Sequence, residues 1–162
     1  MILTAFTLFH VLLSLIGIGS GFVVLYGFLT SKWSGTWNTL FLITTAATSV
    51  TGFLFPAHRF LPSHAVGILS LIVLGIAILA RYRFHLTGAW CRTYIITALL
   101  ALYFNVFVLV AQMFQKVPAL KALAPTQSEG PFKVTQLFVL VLFVLLTIGA
   151  AKRFHKEPLR AI

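Results

Sequence analysis

The chain is 162 residues long and 60% hydrophobic, and it carries only two acidic residues, Glu129 and Glu157, against twelve Lys and Arg. A water-soluble fold needs a charged shell that 9% charged residues do not supply, so the mean hydropathy of +1.04 points to lipid as the solvent. The missing carboxylates also argue against ion- and proton-coupled transport, which ordinarily places Asp or Glu inside the membrane.

Five apolar stretches are long enough to cross a bilayer core of ~30 Å as helices rising ~1.5 Å per residue. They run roughly over residues 3–29, 38–55, 65–84, 93–114 and 134–151. The connectors are short and leave no room for a soluble domain. The expectation is one all-α transmembrane domain over residues 1–162, a bundle of five transmembrane helices. The first stretch reads as a retained span rather than a signal peptide, because it lacks a basic n-region and an A-x-A cleavage site.

Each stretch carries small or polar residues at helical spacing, the pattern by which membrane helices pack. On the first these are His10, Ser14, Gly17 and Gly21. The second is rich in hydroxyls, among them Thr44, Thr45, Thr48, Ser49 and Thr51. The third aligns His64, Gly67, Leu71 and Gly75, and the fourth Thr97, Ala101, Asn105, Val108 and Gln112. The fifth aligns Gln136, Leu140, Phe143 and Thr147. In the loop before it, Pro118, Pro125 and Pro131 prevent a continuous helix, while Leu120 and Leu123 suit a short segment lying on the membrane surface. Thr126 to Glu129 has capping-box spacing, but Gly130-Pro131 reads as an interruption, so an ordered loop over the bundle mouth is expected.

The formal charge of +10 invites a nucleic-acid reading that the distribution of charge removes. Lys32, Arg81, Arg83, Arg92, Lys152, Arg153, Lys156 and Arg160 fall on one side of the predicted spans, and Arg59, Lys116, Lys121 and Lys133 on the other. By the positive-inside rule the N-terminus is outside and the C-terminus inside. Membrane lipids are the expected surroundings, and no nucleic acid is expected as partner. The lone Cys91 has no intrachain disulfide partner.

Candidate chemistry gathers on the outer side, where His10, His58 and His64 fall with Glu129 in the loop above them. Three imidazoles and a carboxylate suit a transition metal such as Zn, Cu or Fe. A second version is haem b, with His10 and His64 as axial ligands. Gln112, Gln136 and Asn105 would hydrogen-bond around such a centre. The plainer readings are an interhelical hydrogen bond for His10 and, preferred for Asn105, a bond to a Thr hydroxyl of the second span. A redox or metal-handling role follows from the first set of readings. The alternative is a non-catalytic accessory or assembly subunit of a larger membrane complex, or a homo-oligomer. No motif decides whether the protein is an enzyme.

Three segments, residues 48–56 (TSVTGFLFP), 101–109 (ALYFNVFVL) and 124–132 (APTQSEGPF), resemble a family of small multi-pass bacterial inner-membrane proteins without an assigned activity. The resemblance implies a bacterial inner membrane and carries no catalytic residue onto this chain.

Overall fold

The computed structural model describes residues 2–55 and 62–154. Helix α1 is Ile2–Leu29, α2 Gly35–Gly52, and α3 Pro62–Ile78, which runs on into a π-helical turn at Leu79–Arg83. Then follow α4 (Ala89–Lys116), the short α5 (Pro118–Leu123) and α6 (Gly130–Arg153). Among the described residues every regular element is helical.

Four helices are long and apolar enough to cross a membrane: Thr4–Leu29, Ser63–Arg83, Ala89–Lys116 and Gly130–Arg153. The stretch expected as the second span forms α2, whose 18 residues extend ~27 Å. Its threonines, Ser49 and Asn38 make it less apolar than the other four. Those polar residues face inward: Asn38, Thr44, Thr45 and Ser49 are buried alongside Phe41 and Leu42. Two of their hydroxyls bond within the helix, Thr44 Oγ1 donating to the Leu40 carbonyl at 2.7 Å and Ser49 Oγ to the Thr45 carbonyl at 3.0 Å.

Helices α1 and α3 each pack against both α2 and α4, and α6 covers α4 and α1. Phe28, Phe41, Leu74, Tyr94, Leu99 and Leu102 form the centre of the core, each under 2% exposed. Leu8, Leu12, Phe138 and Leu145 point outward, as contact with acyl chains requires. The glycine stripe of α1 marks a close helix crossing. A Cβ on Gly21 would lie 2.5 Å from Leu102 Cδ1 and 3.0 Å from Phe41 Cε2, and one on Gly17 would lie 3.3 Å from the Thr44 and Thr45 hydroxyls. On α3 the packed face is Ser70, Leu74 and Ala77 rather than Leu71 and Gly75, because the helix is rotated toward α4. On α6 the buried positions are Gln136, Phe143 and Ala150, with Leu140 left exposed.

The proline loop differs from expectation at its end. Pro131 lies in the first turn of α6, where the missing N–H has no helical acceptor to satisfy, so Gly130-Pro131 begins the helix instead of interrupting it. Upstream, the segment holding Leu120 and Leu123 forms the short helix α5, which has no buried residue.

Antiparallel packing gathers the cations at one end of the bundle. Arg153 Nη1 donates to the Leu29 carbonyl at 3.2 Å, and Arg81 Nη2 to the Gly35 carbonyl at 3.0 Å. Lys32, Arg81, Arg83, Arg92, Lys152 and Arg153 therefore share an end, hereafter the basic end, with Lys116, Lys121 and Lys133 at the other. Arg59, Lys156 and Arg160 lie outside the described residues.

Because Leu102 and Phe41 are fully enclosed, they have no room to yield to a methyl group at residue 21. Gly21→Ala is expected to destabilise the detergent-solubilised protein by about 1–3 kcal/mol. Gly19→Ala, whose Cβ meets nothing within 4 Å, should leave the thermal midpoint unchanged or raise it.

Candidate functional site

The bundle is tightly tied in its basic half and hollow in the other. Tyr94 Oη donates to Asn38 Oδ1 at 2.7 Å, joining α4 to α2 near the basic end. Nearer the middle, Asn105 Nδ2 donates to Thr45 Oγ1 at 3.3 Å, the interhelical bond preferred for it from sequence. Beyond Asn105 the four helices α1 to α4 enclose a cavity of about 550 Å³. That volume is within the range of about 300–1,000 Å³ typical of ligand sites. Its walls carry Thr7, His10 and Ser14 from α1, Thr48 and Ser49 from α2, His64 and Ser70 from α3, and Asn105, Gln112 and Lys116 from α4. Phe53, Phe55, Phe104, Val108 and Leu109 supply apolar surface between them.

His10 is held in a defined state. Its Nδ1 lies 2.8 Å from Thr51 Oγ1, and the Thr51 hydroxyl donates its single proton to the Ala47 carbonyl at 2.8 Å. The hydroxyl can therefore only accept from the ring, so in the neutral imidazole Nδ1 bears the hydrogen and Nε2 keeps its lone pair. Nε2 has no hydrogen-bond partner among the described residues. The ring is braced edge-on against Phe55, centroids 5.1 Å apart at 83°, and Gly52 leaves space beside Cε1. His64 lines the same cavity from α3, its ring stacked on Phe53 at 5.6 Å and 17°.

Two further groups in the wall lack protein partners. Thr48 Oγ1 is buried and makes no hydrogen bond among the described residues. Lys116 at the cavity edge has no carboxylate partner among them. Neither residue stood out in the sequence, where Lys116 reads as a loop cation and Thr48 as one hydroxyl among many.

The other anticipated residues are distributed as follows. Gln112 and Asn105 stand in the cavity wall, whereas Gln136 joins α6 to α4 by donating from Nε2 to the Phe107 carbonyl at 3.0 Å. Glu129 is not in the wall. Its carboxylate accepts from the Thr126 hydroxyl at 2.8 Å, the Thr126 amide at 3.1 Å and the Ser128 amide at 3.0 Å. These bonds, the Thr126 hydroxyl first, hold its carboxyl below the usual carboxylate range. His58 lies outside the described residues, and among those described no three His, Cys, Asp or Glu side chains are grouped to hold a metal ion.

Arg81 is a second feature hidden in the sequence. The π-helical turn directs it inward, where Nη2 donates to Thr39 Oγ1 at 2.8 Å as well as to Gly35. Its guanidinium lies 5.5 Å from the Trp33 ring centroid and 4.9 Å from that of Tyr82.

Two measurements check this geometry. In ¹⁵N spectra His10 should be the Nδ1–H tautomer, and Thr51→Val should abolish that preference by removing the acceptor at Nδ1. A carboxyl whose pKa is lowered by folding stabilises the turn above its unfolded pKa and ceases to do so as pH falls through the folded value. Amide exchange of residues 126–128, compared with Glu129→Gln at each pH, should show protection that the variant lacks at neutral pH and the same exchange as the variant once Glu129 is protonated. No family model, curated protein or solved structure matches this chain, so the site rests on its own chemistry.

Proposed function

We propose that the protein is a membrane-embedded binding protein whose cavity holds haem b between His10 and His64, serving as a one-electron carrier or redox sensor. The observation that carries the reading is the pairing of two histidines from α1 and α3, helices that both pack on α2 and α4, in the wall of one cavity. Metal-ligating histidines ordinarily donate their second ring N–H to a neighbouring acceptor, which is the arrangement Thr51 gives His10. Lys116, uncompensated at the cavity edge, suits a propionate, and the phenylalanines would keep water from the porphyrin. The haem supplies the one-electron chemistry when bound, and the chain binds, orients and shields it.

In this reading α2 is a fifth crossing. It starts beside Arg81 at the basic end and finishes beside His10 at the other, joining the end of α1 to the start of α3. The basic end then faces the cytoplasm of a bacterial inner membrane and the cavity opens toward the outer side. A second reading, favoured by the hydroxyl-lined wall and the unpartnered Thr48 Oγ1, is an iron-free amphiphile that donates a hydrogen bond to His10 Nε2.

Visible absorption of protein purified in detergent from haem-supplied cells tests the two. A Soret band lost in both His10→Ala and His64→Ala is expected, with Thr51→Val weakening haem affinity by about 10–100-fold. A colourless, folded protein that gains no band on adding haem would refute the haem reading. Mass-spectrometric recovery of a hydrogen-bond-donating amphiphile lost in His10→Ala would then establish the second.

A further inference from the structure

A second recess lies outside the bundle, between α4 and α6, with a volume of about 270 Å³. Ile96, Leu100 and Tyr103 of α4 and Leu140, Val144 and Ile148 of α6 form its walls. Along α6 it extends ~16 Å, from Leu140 to Ala151. The lining is almost wholly apolar, which fits a hydrocarbon chain. Its end is different. Arg92 lies one turn before Ile96 on α4, and Lys152 one turn beyond Ile148 on α6, so each wall continues to a cation at the basic end. Both side chains are exposed, and neither has a carboxylate partner among the described residues.

From this we infer that the α4–α6 groove is a binding site for an anionic phospholipid, with an acyl chain along the groove and the phosphate between Arg92 and Lys152. Charge complementarity selects this occupant. Basic pockets beside membrane helices attract anionic headgroups, each nearby cation adding to the affinity. A second copy of the chain would bring its own net charge of +10 toward the groove, and among the described residues no acidic residue inside a spanning helix offsets it. A neutral lipid would fill the groove and leave both cations without a counter-charge. The site shares no residue with the cavity between α1 and α4, so it stands whether or not a haem is bound.

Native mass spectrometry of the full chain, titrated with phosphatidylglycerol and with phosphatidylcholine of the same acyl chains, tests it. The wild type should retain phosphatidylglycerol about tenfold more tightly, the order expected for two cations at a headgroup. Arg92→Gln with Lys152→Gln should remove that preference, while Lys121→Gln with Lys133→Gln, at the opposite end, should not. Val144→Trp, filling the groove but keeping both cations, should also abolish retention, which separates a seated lipid from general attraction to the basic end. Equal retention of the two lipids, a preference that survives the double variant, or a dimer that forms in place of lipid binding would each overturn the proposal. All three variants alter exposed positions, and unchanged helical circular dichroism would exclude misfolding as the cause.

Discussion

The hydroxyls of α2 are the interaction on which the rest of the bundle depends. A threonine in a helix can donate its proton to the carbonyl one turn back, and its oxygen is then an acceptor only. Thr39 and Thr51 both do this, to Gly35 and Ala47, and each receives a donor from a different helix. Thr39 takes Arg81 from the turn after α3, and Thr51 takes His10 from α1. Among the described residues no spanning helix carries a carboxylate, and these neutral acceptors do the work that ion pairs do elsewhere. They orient a cation near one end and an imidazole near the other without placing a negative charge in lipid. Helix α2 is correspondingly the least apolar of the long helices, and its polar face is turned into the bundle.

The two halves of the molecule are built differently because their residues differ in size and reach. In the basic half, glycine at position 21 and alanines at 77, 80, 98 and 101 let the backbones approach, and Tyr94, Phe28 and Phe41 fill what remains. In the other half hydroxyls, amides and imidazoles stand among Phe53, Phe55, Phe104 and Leu109, and space is left between them. In the proposed reading, the close packing at one end holds the cavity at the other as a preformed site.

Hydropathy made the long helices legible, and helical spacing made most of the inward stripes legible. His10 with Ser14, Gly17 with Gly21, and Asn105 with Gln112 all face inward as their spacing requires. What escaped was whatever depended on rotation or on a neighbour. Arg81 reads as an ordinary loop cation because nothing in its local sequence announces a π-helical turn. Leu71 and Gly75 fit a stripe on α3, yet the helix presents Ser70, Leu74 and Ala77, a choice made by packing against α4. Pro131 reads as a break until the first-turn exemption for proline applies to it. Gln136 carries the correct inward spacing but serves a carbonyl of α4 instead of the cavity, a distinction that only the partner helix decides.

The wide turn at Leu79–Arg83 has a consequence for how this chain tolerates change. A π-helical turn is equivalent to one residue inserted into an α-helix. Removing Leu79 or Ala80 would let the segment close into ordinary α-helical pitch, shifting Arg81 one place along the turn while the residues beyond it keep their position. The guanidinium would leave Thr39 and Trp33 for the hydrocarbon, and the link between the end of α3 and the start of α2 would open. Length, more than residue identity, is thus the constraint on this stretch: it should accept replacement of Leu79 or Tyr82 far more readily than it accepts shortening.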